Sequence, residues 1–173
     1  GNVVFDPANA AGIRSASADT GFLAVYGPAG DLVDFLTIDP GGGSTDIAAV
    51  AVQGTKVILA GRYRAAADGS VDIDPTSGSR IATGTGLFVS VFDLQTRTLS
   101  WARTISLPTQ YAAGFTRTAF TPAGGVVLAG YQSQSLAVGG TDGFTAESPV
   151  TLATSAFVST LVAFSASGGL AWA

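Results

Sequence analysis

The feature that most constrains the fold of this 173-residue chain is an internal sequence repeat. The segment KVILAGRY at 56–63 recurs as GVVLAGYQ at 125–132, 69 residues later. The pair GLFVSVFD and LSWARTI follows the first copy, and a shorter version, STLVAFS and LAWA, follows the second, so that Trp101 recurs as Trp172. Near the start of the chain GFLAVYG and LVDFLTI form a degenerate version, with Asp34 at the tryptophan position. A long fixed period of this kind is the signature of a repeat architecture.

Each full copy predicts four β-strands, because valine, isoleucine, phenylalanine, tyrosine and threonine dominate the segments between glycine-containing turns. The strands predicted for the middle copy are 46–52, 56–63, 86–93 and 99–105. Those predicted for the last copy are 114–120, 125–132, 160–165 and 170–173. The strands of the middle copy are apolar on both faces, whereas a sheet with one wet face alternates apolar and polar residues. We therefore expect an all-β fold without a helix of three turns, in which small sheets are covered on both sides.

The order LAGRY, SVDIDP, GLFVSVFD and LSWARTI resembles the bacterial β-propeller repeats often called SBBP-type. The resemblance covers essentially the whole chain, and the long segments 64–85 and 133–158 depart from its pattern. It implies stacked four-stranded antiparallel sheets forming a partial β-propeller of about two and a half blades, with a solenoid-like β stack as the alternative. The expected divisions are a half blade at 1–39 and blades at 40–106 and 107–173.

Two strands, then four, then four do not close a propeller, which typically has four to eight blades. Open blades leave unpaired strand edges and apolar faces. We therefore expect the missing strands to come from a protein partner, either the remainder of a longer chain or other subunits.

The composition excludes several kinds of chemistry. Cysteine, methionine and histidine are absent, so the chain has no disulfide, thiolate nucleophile, cysteine–histidine zinc cluster or imidazole base. The net charge is −4, Lys56 is the only lysine and the arginines are scattered, so we expect no nucleic-acid binding. The segment 148–173 is uncharged, but serines, threonines and Gly168-Gly169 interrupt it. We expect two strands and a turn there, and no membrane span.

One stretch, ADGSVDIDP, suggests a calcium site, because calcium takes six to eight oxygen ligands. The candidate ligands are Asp68, Ser70, Asp72 and Asp74. The alternative is a loop with Val71 and Ile73 tucked in and its polar side in water. The carboxylates do not recur in the other copies, which favours the loop. We therefore predict no metal ion and no cofactor, and keep calcium as the alternative.

A second group of residues suggests glycan binding. Sugar rings could stack on four aromatic side chains, those of Tyr63, Tyr131, Trp101 and Trp172, and Arg62 and Arg64 could add polar contacts. The alternative is that both tryptophans pack between blades, since they recur at equivalent strand positions. Catalysis by two carboxylates needs a pair of acids across a cleft, and most aspartates here fall in predicted turns, where they usually bond their own backbone. We therefore predict no catalytic residues and no enzymatic activity.

The expected function is a non-enzymatic structural or protein-interaction module of a bacterial exported or cell-surface protein. The extracellular or cell-surface location is what the family resemblance implies. One alternative is a glycan-binding, lectin-like propeller assembled from several subunits, and a weaker one is the scaffold part of a hydrolase. Glycan binding predicts exposed aromatic residues in one pocket per repeat, whereas a scaffold predicts that these aromatic residues are buried.

Overall fold

The computed structural model describes residues 2–4, 13–15, 18–67, 69–107, 113–133, 136–138, 150–152 and 157–173. The regular structure of these residues consists of β-strands and turns without a helix, and every strand pair is antiparallel. The prediction of an all-β chain is therefore confirmed for the described residues. None of them belongs to a helix long and apolar enough to cross a membrane.

The central sheet contains four strands, which are β5 (Ser44–Gln53), β6 (Lys56–Arg64), β9 (Thr85–Asp93) and β10 (Thr98–Ser106). Their order across the sheet is β10-β9-β6-β5. Between β6 and β9 the chain forms a short hairpin of two strands, β7 (Val71–Asp72) and β8 (Ile81–Ala82). All four predicted strands of the middle copy are present, and their bounds agree with the prediction to within two residues.

The C-terminal sheet has the same connectivity, in the order β11-β12-β15-β16. Its members are β11 (Ala113–Phe120), β12 (Val126–Gln132), β15 (Val158–Phe164) and β16 (Leu170–Trp172). A hairpin of β13 (Leu136–Val138) and β14 (Val150–Leu152) again lies between its second and third strands. The uncharged end of the chain thus contributes two strands and a turn to this sheet, as predicted.

The start of the chain contains a short hairpin followed by two paired strands, like the later parts of the two four-stranded sheets. A hairpin of β1 (Asn2–Val4) and β2 (Ile13–Ser15) precedes the N-terminal pair, which consists of β3 (Phe22–Tyr26) and β4 (Leu32–Thr37). Across the described residues, a short hairpin followed by two paired strands therefore occurs three times.

The last strand of each sheet has a β-bulge at the same place. One residue of the strand is passed over by the pairing register, directly before the position of Asp34, Trp101 or Trp172. The residues passed over are Val33, Ser100 and Ala171. A bulge bends its strand and changes the direction of the neighbouring side chains. The aspartate and the two tryptophans therefore have equivalent places in the three sheets.

The shared glycine of the repeated LAG segment marks a close approach of two backbones. A Cβ atom on Gly61 would lie 1.8 Å from the carbonyl oxygen of Asp46, and one on Gly130 would lie 2.1 Å from that of Gly114. Both glycines adjoin a register shift in the first strand of their sheet. Only glycine leaves room for the neighbouring strand at these two positions.

Strands β6 and β9 of the central sheet are buried on both faces, as their apolar sequences predict, whereas Val50 and Val52 of β5 are exposed. On one face Ile58, Val89 and Trp101 pack against the C-terminal sheet in a single core cluster. On the opposite face Val57, Leu59 and Phe88 belong to a second cluster, which includes Leu36 from the N-terminal pair. Alternate residues of β6 and β9 thus serve two different cores, because successive side chains of a strand point to opposite faces.

Candidate functional site

A cleft of about 310 Å³ lies at one end of the central sheet. Because β5, β6 and β9 are antiparallel neighbours, the beginning of β5, the end of β6 and the beginning of β9 meet at this end. Asp19, which precedes the N-terminal pair, completes the wall. The side chains that determine its chemistry are those of Asp19, Asp46, Arg62, Tyr63 and Arg64.

The cleft combines two arginines with two aspartates. Arg62 and Asp46 face each other across the β5–β6 register, and Nη2 of Arg62 lies 3.2 Å from Oδ2 of Asp46. Both side chains are substantially exposed to solvent, so this ion pair contributes at most about 1 kcal/mol to stability. Arg64 is also exposed and lies opposite Thr85 of β9. The cleft therefore offers a small polar ligand positively charged hydrogen-bond donors from the arginines and negatively charged acceptors from the aspartates.

The floor of the cleft is fixed by Thr45, which is buried. Its Oγ1 accepts a hydrogen bond of 2.7 Å from the backbone N–H of Gly21 and donates one of 3.1 Å to the carbonyl oxygen of Ile38. Its backbone N–H donates a bond of 2.8 Å to the carbonyl oxygen of Asp19. Thr45 thus links β5 to the end of the N-terminal pair where β3 begins and β4 ends. The sequence analysis did not single out this threonine.

The structure brings three of the four glycan-binding candidates, Arg62, Tyr63 and Arg64, to this one cleft. Tyr63 is only 3% exposed and belongs to the core between the central sheet and the N-terminal pair. Its hydroxyl lies against Gly86, where a Cβ atom would be 2.6 Å from that oxygen. The ring of Tyr63 is therefore a packing element with one edge at the cleft, and its face offers no platform for a sugar.

Tyr131, the fourth glycan-binding candidate, lies outside the cleft on the C-terminal sheet. It is half-buried above Gly114, and its ring centroid is 6.2 Å from that of Phe157. In the repeat Gly61 corresponds to Gly130. Tyr63 lies two residues after this shared glycine, and Tyr131 lies one residue after it. They consequently point to opposite sides of their sheets and form no common pattern of binding residues.

Two of the calcium candidates, Asp72 and Asp74, bind the backbone and side chains of their own loop. Oδ1 of Asp72 accepts hydrogen bonds of 3.0 Å from the backbone N–H of Asp74 and 2.7 Å from that of Arg80. Oδ1 of Asp74 accepts bonds of 2.8 Å and 2.6 Å from the N–H and the hydroxyl of Thr76. Asp68 lies outside the described residues. Within the described part of the chain, no group of three acidic side chains is close enough together to hold a metal ion.

The loop alternative is right about the apolar residues and wrong about Asp74. Val71 and Ile73 are fully buried, as that interpretation expects. Asp74 is also buried, whereas the loop interpretation placed the polar side in water. The reason is that Thr76 satisfies this carboxylate locally, which reduces the cost of removing it from solvent.

The two recurrent tryptophans have different environments. Trp101 is 6% exposed and packs in the core between the central and C-terminal sheets. Trp172, at the equivalent place in the C-terminal sheet, is 50% exposed. The expectation that the recurrent tryptophans pack between sheets therefore holds for Trp101 alone within this chain.

The sequence was compared with protein-family models and with curated proteins. No family model matches the chain, and no curated protein is a significant match.

Proposed function

We propose that this chain is a partial β-propeller, and that it serves as a non-enzymatic structural or protein-interaction module of a bacterial exported or cell-surface protein. The observation that carries the proposal is the burial of β6 and β9 on both faces, by the N-terminal pair on one side and the C-terminal sheet on the other. Radially stacked blades give small four-stranded sheets such two-sided burial.

The contacts between the two four-stranded sheets support a radial arrangement. These sheets meet mainly through their first strands, β5 and β11. The recurring hairpin between the second and third strands and the recurring bulge in the last strand support equivalent blades. A fan of sheets that is narrowest at the first strands is the geometry of propeller blades around an axis.

The burial of the aromatic residues favours a structural module over a lectin. Tyr63 and Trp101 lie in cores between sheets, as a scaffold predicts. The aspartates of the β7–β8 hairpin bond to their own loop and leave no convergent pair of acids there. The location outside the cell rests on the resemblance of the repeat to SBBP-type sequences, and the surface for protein partners would be formed by the inserted hairpins and the open sheet faces.

Electron microscopy of the native polypeptide tests the fold within this proposal. Class averages are expected to show a ring or an arc of blades around a central axis. A straight stack of sheets would contradict the propeller and support a solenoid. Protease treatment of intact cells, followed by detection of the protein, tests the location: rapid loss of the protein is expected, and full protection would contradict surface exposure.

Glycan binding is the second candidate, because Arg62, Arg64 and the edge of Tyr63 meet at one cleft. A glycan array followed by titration calorimetry tests it. If the cleft is a lectin site, binding is saturable, is lost in Arg64→Ala and is retained in Arg117→Ala, which changes an exposed arginine of the C-terminal sheet. If the structural proposal is right, neither the parent protein nor either variant binds a glycan.

A further inference from the structure

One face of the central sheet changes from apolar to charged along β6. Ile58 and Ala60 belong to the core between the central and C-terminal sheets. Arg62 and Arg64 continue the same face, because side chains two residues apart in a strand point to the same side. Both arginines line the cleft of about 310 Å³, so the charged part of this face lies at the cleft.

The neighbouring strands place polar side chains beside these arginines. Asp46 of β5 is the register partner of Arg62. Arg64 lies between Ser44 of β5 and Thr85 of β9. Directly opposed residues of paired strands share a face of the sheet. Two guanidinium groups, two hydroxyls and one carboxylate are therefore on one face at this end of the sheet.

A second carboxylate, that of Asp19, reaches the cleft from the segment before β3. The carbonyl oxygen of Asp19 accepts a hydrogen bond of 2.8 Å from the backbone N–H of Thr45, which fixes this segment against β5. Asp19 is exposed and lines the cleft together with Asp46. The side chains at the cleft thus include two arginines and two aspartates, and their formal charges sum to zero.

The ion pair between Arg62 and Asp46 faces solvent and is weak. It joins Nη2 of Arg62 to Oδ2 of Asp46, so it engages one of the five N–H donors that a guanidinium carries. The Arg62 side chain is 35% exposed and that of Asp46 is 57% exposed. Because such a pair contributes at most about 1 kcal/mol, a ligand can rearrange it at little cost.

We propose that the cleft binds a small zwitterion, a ligand of amino-acid size that carries one carboxylate and one ammonium group. The ligand carboxylate pairs with the guanidinium of Arg62. The ligand ammonium group pairs with the carboxylates of Asp46 and Asp19, and the hydroxyls of Ser44 and Thr85 supply further hydrogen bonds. This activity goes beyond the proposed structural role and does not depend on it, because the site uses only the central sheet and the segment before β3.

The charge balance of the cleft favours a zwitterion over a simple ion. An anion bound at Arg62 would also meet the negative charges of Asp46 and Asp19, and a cation bound at these aspartates would meet the arginines. A ligand with both charges is attracted at each end, whereas like charges brought together oppose binding. Arginine and carboxylate groups also form the stronger, charge-assisted class of hydrogen bond with such a ligand.

The size and lining of the cleft limit the ligand to a small polar molecule. Its volume of about 310 Å³ is at the lower end of the range for small-molecule sites, roughly 300–1,000 Å³. The ring of Tyr63 is buried in the core and presents only its edge, so the cleft has no aromatic platform. An amino acid or a dipeptide therefore suits the cleft better than an extended glycan.

Titration of the full chain with each standard amino acid, followed by nuclear magnetic resonance, tests the site. At least one amino acid at millimolar concentration is expected to shift the backbone amide signals of 44–46 and 62–64 in a saturable way. Its N-acetyl derivative keeps only the carboxylate, and its amide keeps only the ammonium group. Each should bind at least about tenfold more weakly, as loss of a charged hydrogen bond implies. The proposal is wrong if no amino acid gives saturable shifts there, or if either derivative binds as tightly as the amino acid.

Asp46→Asn should change which ligand binds. It should weaken binding of the amino acid at least about tenfold, because the ammonium group loses a charged partner. It should strengthen binding of the N-acetyl derivative, whose carboxylate no longer meets the charge of Asp46. Asp31→Asn, in the exposed turn between β3 and β4, is the matched control and should leave both affinities unchanged. If Asp46→Asn weakens both ligands alike, or changes neither, the ammonium contact at Asp46 is wrong.

Discussion

The indole Nε1–H of Trp101 donates a hydrogen bond of 3.0 Å to the carbonyl oxygen of Ala166, 65 residues further along the chain. The same ring lies against Gly168 and has its centroid 5.7 Å from that of Phe164. One side chain of the central sheet thus contacts a turn and a core residue of the C-terminal sheet. Substitutions of Trp101 therefore measure the contribution of packing between these two sheets to stability.

Substitutions of Trp101 should separate its hydrogen bond from its packing. Trp101→Phe keeps a ring and loses the bond, so we expect a loss of about 1 kcal/mol in the free energy of unfolding. Trp101→Ala also leaves a cavity and should cost about 3–5 kcal/mol. Urea unfolding at low protein concentration measures both. Trp172→Ala is the control and should cost much less, and equal losses at the two tryptophans would contradict the packing described for Trp101.

Gly61→Ala should destabilise the protein far more than the same substitution in a turn. The added Cβ would overlap the carbonyl oxygen of Asp46 at 1.8 Å, so β5 must move, and we expect a loss of about 3 kcal/mol. Gly54→Ala is the matched control, because its Cβ would meet no atom within 4 Å although φ is 61°. It should cost about 1 kcal/mol from backbone strain alone. Thermal unfolding of the two variants decides this, and similar melting temperatures would rule out the close approach.

The effect of Arg97→Gly on stability should depend on the salt concentration. Glycine relieves the positive φ of Arg97 (53°), which is worth about 1 kcal/mol. The substitution also removes the ion pair with Asp34, worth about 0.2–1 kcal/mol for an exposed arginine. Salt screens the ion pair and leaves the backbone effect unchanged. We therefore expect near-neutral stability at low salt and a net gain at about 1 M salt, measured by chemical unfolding.

Arg97→Ala is the control for this experiment, because it removes the ion pair and retains the strained backbone. It should be less stable than the parent at low salt and approach the parent at high salt. A glycine variant that is no more stable than the alanine variant at high salt would show that positive φ costs nothing at this position.

The strands of both four-stranded sheets were predictable because two signals coincide. The recurrence of Val57, Leu59 and Gly61 at the 69-residue offset marks equivalent strands, and turn residues bound them. Apolar residues at consecutive positions of β9 also predicted burial on both faces, and the two cores confirm it. Local composition and repetition are sufficient for these features because each sheet is a local meander.

The cleft and the contacts between sheets were not predictable in the same way. Thr45 joins Gly21 and Ile38 through one hydroxyl, and nothing in its local sequence distinguishes it from other threonines. The pairing of Asp34 with Arg97 spans 63 residues and depends on how two sheets approach each other. The sequence does show that Asp34 stands where the other two copies have a tryptophan. That Arg97 is the partner of Asp34 can be seen only once the geometry of the turn before β10 is known.

Addition of a calcium chelator should leave the melting temperature unchanged to within about 2 °C, because Asp72 and Asp74 already bond to their own loop. By contrast, Asp74→Ala should destabilise the protein by about 1–3 kcal/mol, since it removes a buried carboxylate that accepts two hydrogen bonds from Thr76. Differential scanning calorimetry measures both effects. A large drop in melting temperature on chelation, restored by added calcium, would revive the calcium site.

Asp93 should contribute to the loss of stability at acid pH. The hydroxyl of Thr55, 2.6 Å from its Oδ2, and then the N–H of Thr96, 2.9 Å from its Oδ1, hold the pKa of this carboxyl below its ordinary value. Because the folded pKa lies below the unfolded one, the unfolded chain takes up the proton first as pH falls. The stabilising contribution of Asp93 is therefore complete above the unfolded pKa and is lost as pH falls through the folded pKa.

Asp93→Asn removes this titration and keeps an oxygen that accepts hydrogen bonds from the turn. The difference in unfolding free energy between the parent and Asp93→Asn should be constant at neutral pH and shift in favour of the variant below about pH 4. Thr55→Val tests the cause, because it deletes the hydroxyl that lowers the pKa most. Its acid sensitivity should lie between those of the parent and Asp93→Asn. Chemical unfolding at several pH values measures all three proteins, and parallel pH profiles for the parent and Asp93→Asn would show that the turn holds the carboxylate and the neutral acid equally well.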